Sequence, residues 1–357
     1  MSKEIQTMRM SIKEFASYLD SVVQYNLSLG TKKAHYSEYI APLVLSQPGQ
    51  AKTTTCFNVA RKNSLDTVLF ISATQEQYDI SGIPDIVTLP DIGKVTDWIK
   101  PEMFRRVPGT MYLFDEATKA PHMMNALSML AYERRAGMHH IPHGSTIVFA
   151  GNRIGDNAGD SPLPTHLANR LNTIHVYMTH KHWLEWAAEA GINPIITGYV
   201  AHNGENSFGF NPDQQTNPTH RAWALVNNLM KLNLSKEMLT TAVSGYVGEA
   251  AASKLRTYMA YADEMESPES IIANPDGAKV PSGQDGIGRC YAIISSLIGH
   301  ITPRSIGPIM KYLRRLPSKE MTVYAVKDIM LRFPKLNSDP ALKEWKLAHT
   351  QLFTPLI

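Results

Sequence analysis

Apolar residues along the chain follow two different spacings, and the change between them near residue 178 divides the sequence. Before that point, five short apolar runs alternate with segments of helical spacing, at residues 40–45, 67–72, 109–114, 145–151 and 172–177. Short buried strands that alternate with helices are typical of a parallel sheet covered by helices on both faces. The first half of the sequence therefore predicts an α/β fold with a parallel sheet.

A helix is predicted before the first of these strands. Residues 11–28 carry apolar side chains at helical spacing, and Ser11 and Glu14 have the spacing of a capping box. We expect Gly30 to end this helix, because glycine adopts the backbone conformation of a helix C-terminus at little cost.

Beyond residue 178 the strand pattern fades and helical spacing dominates. Residues 267–288 are rich in proline and glycine and are predicted to form a loop or linker. The sequence contains no internal repeat. Helices are predicted within residues 182–190, 219–232, 236–244, 249–265, 290–300, 308–316 and 323–331.

Composition limits the class of protein without identifying it. The 357 residues are 43% hydrophobic and 19% charged, a globular balance whose length suggests two domains at roughly 100–200 residues each. No run approaches the ~20 apolar residues of a membrane span, and the N-terminus does not resemble a signal peptide. The two cysteines, Cys56 and Cys290, lie far apart, which favours reduced, buried thiols in a cytoplasmic protein.

The net charge of +3 is too small to indicate a nucleic-acid partner by itself. One basic stretch contains Lys311, Arg314, Arg315 and Lys319. We interpret it as a solvated helix face, and contact with phosphates is the alternative.

The first candidate site is a polar loop between a predicted strand and a predicted helix. Residues 46–53 have the length of the G-x-x-x-x-G-K-[ST] phosphate-binding loop, with Ser46 and Ala51 in place of its two glycines. Lys52 would reach the β- and γ-phosphates of a nucleotide, and Thr53 would hold Mg²⁺. The predicted nucleotide-binding residues of the loop and the following helix are Pro48, Gly49, Gln50, Ala51, Lys52, Thr53 and Thr54.

Two carboxylates follow the strand at residues 109–114. Asp115 and Glu116 are expected at the carboxyl edge of the sheet, beside the loop that carries Lys52. Asp115 would bind Mg²⁺ or its waters, and Glu116 would polarise the attacking water. The alternative is a helix N-terminus that carries favourable acidic residues.

Two further polar residues flank the next two strands. Asn152 ends the fourth strand, where an amide could fix a water beside the γ-phosphate, although a turn-forming Asn is the simpler interpretation. Arg170 precedes the fifth strand, where it could stabilise charge on the nucleotide of a neighbouring subunit. An ordinary surface arginine is the alternative for Arg170.

The order Lys52, Asp115 with Glu116, Asn152 and Arg170 resembles the Walker A, Walker B, sensor 1 and arginine-finger series of AAA+ ATPases. The chain is most similar to the MoxR-type branch, including versions encoded by bacteria and phages, through the segments DEATKAP, FAGNR and PLPTHLANRL. The resemblance extends to residues 217–223, NPTHRAW, which resemble a sensor 2 segment and make Arg221 the sensor 2 arginine.

The resemblance implies a Mg²⁺-dependent ATPase, with Thr53 and Asp115 at the metal and with ATP and Mg²⁺ as cofactors. It implies a homo-oligomeric ring, a hexamer in this family, which remodels or activates a protein partner, often one with a von Willebrand A domain. The catalytic residues would be Glu116, Asn152, Arg170 and Arg221. The implied domains are an N-terminal helix (1–30), the α/β nucleotide-binding domain (31–178), a helical lid (179–265) and a helical C-terminal region (266–357).

Two other functions remain open at this point. A nucleic-acid-remodelling ATPase, such as a helicase loader or translocase, would need basic or aromatic pore loops, and a scaffold would bind nucleotide without turnover. The predicted pore-facing insertions, residues 79–98 and 138–144, offer only Lys94 and histidines as positive groups, which favours a protein client. His139, His140 and His143 also suggest a metal site, but no carboxylate or cysteine lies near them in sequence.

Overall fold

The computed structural model describes residues 8–32, 34–105, 109–156, 159–283 and 285–352. The first seven residues of the predicted N-terminal region and the last five of the predicted C-terminal region lie outside these ranges. The chain forms two compact units, Met1–Met178 and Thr179–Ile357.

Unit 1 is an α/β unit, as the alternating pattern predicts. Its strands are β1 (Arg9–Ser11), β2 (Pro42–Ser46), β3 (Asp66–Ile71), β4 (Ile83–Leu89), β5 (Gly93–Ile99), β6 (Thr110–Asp115), β7 (Arg135–Ala136), β8 (His139–His140), β9 (Thr146–Asn152) and β10 (Asn172–Tyr177). Its α-helices are α1 (Ile12–Lys32), α2 (Lys52–Lys62), α3 (Gln77–Ser81), α4 (Met124–Glu133) and α5 (Thr165–Ala168). All five predicted strands are confirmed.

Six strands form one parallel sheet in the order β1-β10-β2-β9-β6-β3. The strand β2 is therefore central, and β9 lies between it and β6. Ser46 and Asn152 are paired across β2 and β9 at the last residue of each strand. Because all strands run in the same direction, the residues that end β2, β6 and β9 share one edge of the sheet.

The central strands of the sheet are buried on both faces, and their alternate residues point to opposite sides. On β6, Met111 and Leu113 belong to a core with residues of α1 and α2, whereas Tyr112 and Phe114 belong to a second core with residues of α4. Each fully buried side chain of this size contributes about 1.5–3 kcal/mol. The two layers of helices therefore hold the strand ends in fixed positions.

The N-terminal part differs from the predicted single helix in two respects. Residues Arg9–Ser11 form β1, which adds a sixth strand to the sheet by pairing with β10. Ser11 and Glu14 form the expected reciprocal capping bonds, with the Glu14 N–H 3.2 Å from Ser11 Oγ. However, α1 continues past Gly30 to Lys32. A Cβ on Gly30 would lie 2.5 Å from the Cα of Gly144, so this glycine allows a close backbone contact and does not end the helix.

Two antiparallel hairpins interrupt the α/β order. The longer one, β4 and β5, pairs seven residues with seven and exposes apolar side chains, among them Ile86 at 71% and Ile92 at 73%. The shorter one, β7 and β8, pairs Arg135 with His140 and Ala136 with His139.

Unit 2 is helical across its described residues. Its helices are α6 (His180–Glu189), α7 (Pro194–Asn203), α8 (His220–Leu229), α9 (Lys236–Val247), α10 (Glu249–Asp263), α11 (Pro268–Ala273), α12 (Gly286–Ile298), α13 (Ile306–Leu313), α14 (Lys319–Arg332) and α15 (Pro340–Ala348). The predicted loop at 267–288 is wrong in part, because Ser267 caps α11 and Ile271 is buried in the core around α12. Among the described residues, no helix combines the length and apolar character that crossing a membrane requires.

Candidate functional site

The loop between β2 and α2 shows what each of the two departures from the glycine pattern means for the backbone. Gly49 and Ala51 have positive φ angles of 78° and 58°. The left-handed region costs a non-glycine residue about 1–2 kcal/mol, so Ala51 occupies a strained position that glycine would fill more easily. Ser46 is the fully buried last residue of a regular strand, and no positive φ makes glycine necessary there.

Lys52 begins α2 and is buried, with 8% of its surface exposed. Its Nζ donates to Ser46 Oγ at 3.0 Å and to Asn152 Oδ1 at 3.0 Å. It also lies 3.3 Å from the Ser46 carbonyl oxygen and 3.4 Å from that of Gln47. The serine at the position of the first glycine therefore supplies an acceptor for the lysine, a function that the motif spacing does not reveal.

Thr53 and Asp115 meet across α2 and β6. The Thr53 hydroxyl donates to Asp115 Oδ2 at 2.6 Å, which places a hydroxyl and a carboxylate oxygen side by side. These are the hard oxygen ligands that Mg²⁺ prefers. The next residue of the helix, Thr54, is exposed.

Glu116 follows β6 in a left-handed conformation with φ 53°. Its N–H donates to Asp115 Oδ1 at 2.9 Å, and its carboxylate forms an ion pair with Lys119 at 3.2 Å. Non-glycine residues in this backbone region concentrate at functional sites, where the surrounding structure maintains the strain.

The charge of Asp115 also affects Cys56, one turn along α2. Burial and, as the smaller cause, the Asp115 carboxylate together raise the pKa of the Cys56 thiol to about 12. Burial likewise raises the pKa of Cys290 to about 11. Both cysteines are free and buried, as expected from the sequence, and neither is a reactive thiol at neutral pH.

Asn152 is connected to the turn after Glu116 through two residues that sequence reasoning missed. The backbone N–H of Asn152 donates to Thr118 Oγ1 at 3.2 Å, and the Thr118 hydroxyl donates to the Asp160 carboxylate. A Cβ on Gly151 would lie 2.3 Å from Thr118 Oγ1, so only glycine permits this approach. No spacing rule joins Asp160 to Asn152, and the glycine before Asn152 was the one available signal.

The structure brings Lys52, Thr53, Asp115, Glu116 and Asn152 to one edge of the sheet, but Arg170 lies elsewhere. Arg170 precedes β10, whose first residue, Asn172, is paired with Pro42, the first residue of β2. It therefore lies towards the opposite edge, about four residues of strand, or roughly 13 Å, from the edge at which β2 ends. Its Nη1 donates to Ser128 Oγ at 2.7 Å, and its guanidinium lies 5.3 Å from the centre of the Tyr132 ring.

Arg221 belongs to unit 2, where it is the exposed second residue of α8. Thr219 caps this helix by accepting the Ala222 N–H at 3.1 Å. Trp223, two residues after Arg221 on the helix, is fully buried.

Two other features that the sequence singles out make contacts within the described residues. Tyr36 stacks on the rings of His140 and His143 at centroid distances of 5.1 and 4.7 Å, and no cluster of three metal-ligating residues occurs among the described residues. In the basic stretch, Lys311 pairs with Asp276, Arg314 pairs with Glu344, and Arg315 donates to the Pro275 carbonyl oxygen.

The chain is similar to solved structures of other proteins at low sequence identity. No protein-family model matches the chain, and no curated protein matches it. A variant of RuvB from Thermotoga maritima is similar over 81% of this chain and 86% of that chain, at 15% identity and a TM-score of 0.40. A structure described as the T. maritima RuvB Holliday junction branch migration motor covers 83% and 89%, at 13% identity and a TM-score of 0.38.

A third structure, a "putative ATPase" from Cytophaga hutchinsonii, is similar over 96% of this chain and 97% of that chain, at 13% identity and a TM-score of 0.31. Because all three TM-scores are below 0.5, the function of this chain has to be argued from its own residues.

Proposed function

We propose that the protein is a Mg²⁺-dependent ATPase of the AAA+ class, of the MoxR type, which works as a ring of identical subunits. The observation that carries the proposal is the set of side chains at the ends of β2, β6 and β9. A buried lysine and a threonine at the start of α2 contact the asparagine and the aspartate that end β9 and β6, next to a loop with two left-handed residues.

The site residues fit a nucleotide with its magnesium ion. The left-handed residues Gly49 and Ala51 curl the loop before a helix N-terminus, where backbone N–H groups favour anions. Thr53 and Asp115 would hold Mg²⁺, which would neutralise phosphate charge when bound.

Each side chain then has a separate function. Lys52 exchanges its present acceptors, Ser46 and Asn152, for the oxygens of the β- and γ-phosphates. Glu116 orients and polarises the attacking water, and Asn152 holds that water beside the γ-phosphate. In-line attack by the water transfers the terminal phosphoryl group and releases ADP and phosphate.

In a ring of identical subunits, Arg170 of one subunit could contact the nucleotide bound by its neighbour. In its own subunit, Arg170 lies towards the opposite sheet edge from Lys52, which supports action on the nucleotide of a neighbour. We propose that Arg221, on the first turn of the predicted lid (179–265), reads the γ-phosphate as sensor 2. Light scattering with and without a slowly hydrolysed ATP analogue should give the larger assembly with the analogue, and a strictly monomeric active enzyme would contradict the ring.

The exposed hairpin of β4 and β5 favours a protein client over nucleic acid. Its strands and turn carry Asp85, Asp91 and Asp97 against Lys94, and its exposed large side chains include Ile86 and Trp98. An acidic, apolar surface repels phosphates and suits a polypeptide. A von Willebrand A domain protein remains the partner that the family resemblance suggests.

Nucleic-acid remodelling is the second candidate function. The name of the RuvB branch migration motor describes such an activity for that protein. The acceptors of Lys311, Arg314 and Arg315 within the chain weigh against a phosphate-tracking stripe. A gel shift with single- and double-stranded DNA over a salt series separates the two candidates, because phosphate contacts weaken steeply with salt.

Two substitutions test the hydrolytic site. Lys52→Ala should abolish ATP binding measured by isothermal titration, because it removes the positive charge from the phosphates. Glu116→Gln should keep binding and lose phosphate release by a factor on the order of 10²–10⁴, the usual contribution of a general base. Wild-type turnover in Glu116→Gln would show that the catalytic assignment is wrong.

A further inference from the structure

Asp160 uses its carboxylate to join two segments that border the candidate site. Asp160 Oδ1 accepts the Thr118 hydroxyl and lies 3.4 Å from the backbone nitrogen of Asn152. The Ser161 N–H donates to the Thr118 carbonyl oxygen at 2.8 Å. Residues 160–161 therefore hold the turn that follows Glu116 against the end of β9.

The direction of these hydrogen bonds fixes the Thr118 hydroxyl. Because Thr118 gives its proton to Asp160, its oxygen is left to accept the Asn152 N–H at 3.2 Å. A hydroxyl that donates to a carboxylate is a stronger acceptor, since bonds in a chain polarise one another. The three residues form a directed chain of carboxylate, hydroxyl and amide.

The second oxygen of Asp160 argues against a purely stabilising function. Asp160 Oδ2 is buried and has no hydrogen-bond partner among the described residues. A buried acceptor without a donor costs about 1–3 kcal/mol, and more when it is charged. A neutral acceptor would satisfy Thr118 without that cost, which suggests that the carboxylate is retained for the function of the site.

We propose that Asp160 is a positioning residue for ATP hydrolysis: through Thr118 it fixes Asn152 relative to Glu116. The proposal rests on the ATPase function proposed above. Among the described residues, the Asp160 side chain bonds to Thr118 and Asn152 and not to the loop at residues 47–51 or to Thr53, so it acts on the geometry of the hydrolytic step and not on nucleotide capture.

The kinetic test separates positioning from binding. Asp160→Ala should lower kcat about 10–100-fold, the effect of a displacement near 1 Å in a reacting geometry. KM and the affinity for a fluorescent ATP analogue should stay within about threefold of wild type, since Lys52 and Thr53 are unchanged. Asp160→Asn keeps an acceptor oxygen for Thr118 but not the negative charge, so it should recover only part of kcat. An unchanged kcat in Asp160→Ala, or equal losses in kcat and affinity, would overturn the proposal.

A double-mutant cycle tests the chain itself. Thr118→Val removes the hydroxyl at nearly constant shape, so Thr118→Val, Asp160→Ala and the double variant should show similar losses of kcat. Additive losses would show that the two residues act separately. The matched control is Asp156→Ala, which breaks the pair with Arg153 in the same loop but touches neither Thr118 nor Asn152, and it should keep kcat.

Hydrogen exchange provides a readout that does not depend on turnover. In nucleotide-free protein, Asp160→Ala should speed exchange in a peptide that covers residues 150–153 and leave α2 protected. If the wild type does not hydrolyse ATP but Asp160→Ala speeds exchange in this peptide, the ATPase proposal fails. The hydrogen-bonded chain of Asp160, Thr118 and Asn152 is then still supported as a structural feature. If wild type hydrolyses ATP and neither exchange nor kcat changes in Asp160→Ala, the positioning proposal fails alone.

Discussion

The two units place buried polar side chains in different arrangements. In unit 1, Ser46, Lys52 and Thr118 are buried near one edge of the sheet and are joined by hydroxyl, amide and carbonyl acceptors. In unit 2, Arg332 forms an ion pair with Asp328 on α14, and both side chains are at least 93% buried.

The partners of Arg332 show that this second arrangement joins separate segments. Arg332 also donates to the Ile192 carbonyl oxygen at 2.5 Å and to Thr197 Oγ1 at 3.1 Å, so α14 is tied to α7 and the residues before it. A carboxylate that pairs with arginine in this way satisfies both charges within the fold. In the proposed ATPase, the neutral acceptors around Lys52 would instead be exchanged for phosphate oxygens.

The comparison implies that substitutions at the sheet edge should reduce activity at little cost in stability. Substitutions at the α14 pair should instead reduce the stability of the fold and have little direct effect on activity. The strained backbone agrees with this division. Ala51 and Glu116, which border the candidate site, have positive φ angles, and no described non-glycine residue of unit 2 does.

The largest effect is expected for Arg170, and it concerns activity. Arg170→Ala should lower turnover while ATP binding persists, because an arginine supplied in trans contributes on the order of 10³–10⁵ in rate in GTPases. Mixing Arg170→Ala with Glu116→Gln subunits should restore some phosphate release, because an intact arginine can then face an intact glutamate. If mixing restores nothing although the subunits co-assemble, Arg170 acts within its own chain or only supports the fold.

The next effect should appear in stability. Asp328→Ala leaves Arg332 buried without its carboxylate and should cost about 3–5 kcal/mol. Urea unfolding followed by tryptophan fluorescence measures this, because four of the five tryptophans lie in unit 2. The control is Asp263→Ala, which breaks an exposed pair with Lys236 and should cost about 1 kcal/mol or less. Equal costs for the two variants would remove the contrast between the units.

A pH effect on stability is also expected in unit 2. Burial lowers the pKa of His220 to about 4 from 6.5, so the unfolded chain binds a proton first as the pH falls. The contribution of His220 to the free energy of unfolding is therefore fully present above pH 6.5. It is lost as the pH falls towards 4, by up to about 3 kcal/mol at roughly 1.4 kcal/mol per pKa unit. His220→Gln should flatten the dependence of tryptophan-monitored unfolding on pH between these limits. An unchanged slope would assign the effect to other groups.

The elements that could be predicted from sequence are those with a buried face. Strands β2, β6 and β9 are covered on both sides, so each is a continuous apolar run. The helix α7 was missed because residues 194–203 are apolar or β-branched on nearly every side and show no helical period. The hairpin of β4 and β5 was missed as a pair of strands because its exposed side chains do not alternate between core and solvent.

The candidate site divides in the same way. Lys52, Asp115 and Asn152 each end or follow a strand, so their type and position were readable along the chain. Ser46 and Asp160 act through contacts that only folding creates, and Asp160 lies 42 residues from the Thr118 hydroxyl that it accepts. The pairing of β1 with β10 also joins residues far apart in sequence. In addition, the three residues of β1 are too few to show a strand pattern.

The smallest effect tests whether the strain at the sheet edge is real. Ala51 has φ 58°, where glycine avoids a cost of about 1–2 kcal/mol but loses more freedom on folding, so Ala51→Gly should stabilise the protein by about 0.5–1 kcal/mol. The matched control, Ala60→Gly, lies inside α2 and should destabilise by at least about 1 kcal/mol, because glycine weakens a helix and the buried methyl group is lost. Thermal unfolding of both variants measures the difference in sign. A loss of stability in Ala51→Gly would mean that the loop does not carry the strain, and that the contrast with unit 2 rests on the side chains alone.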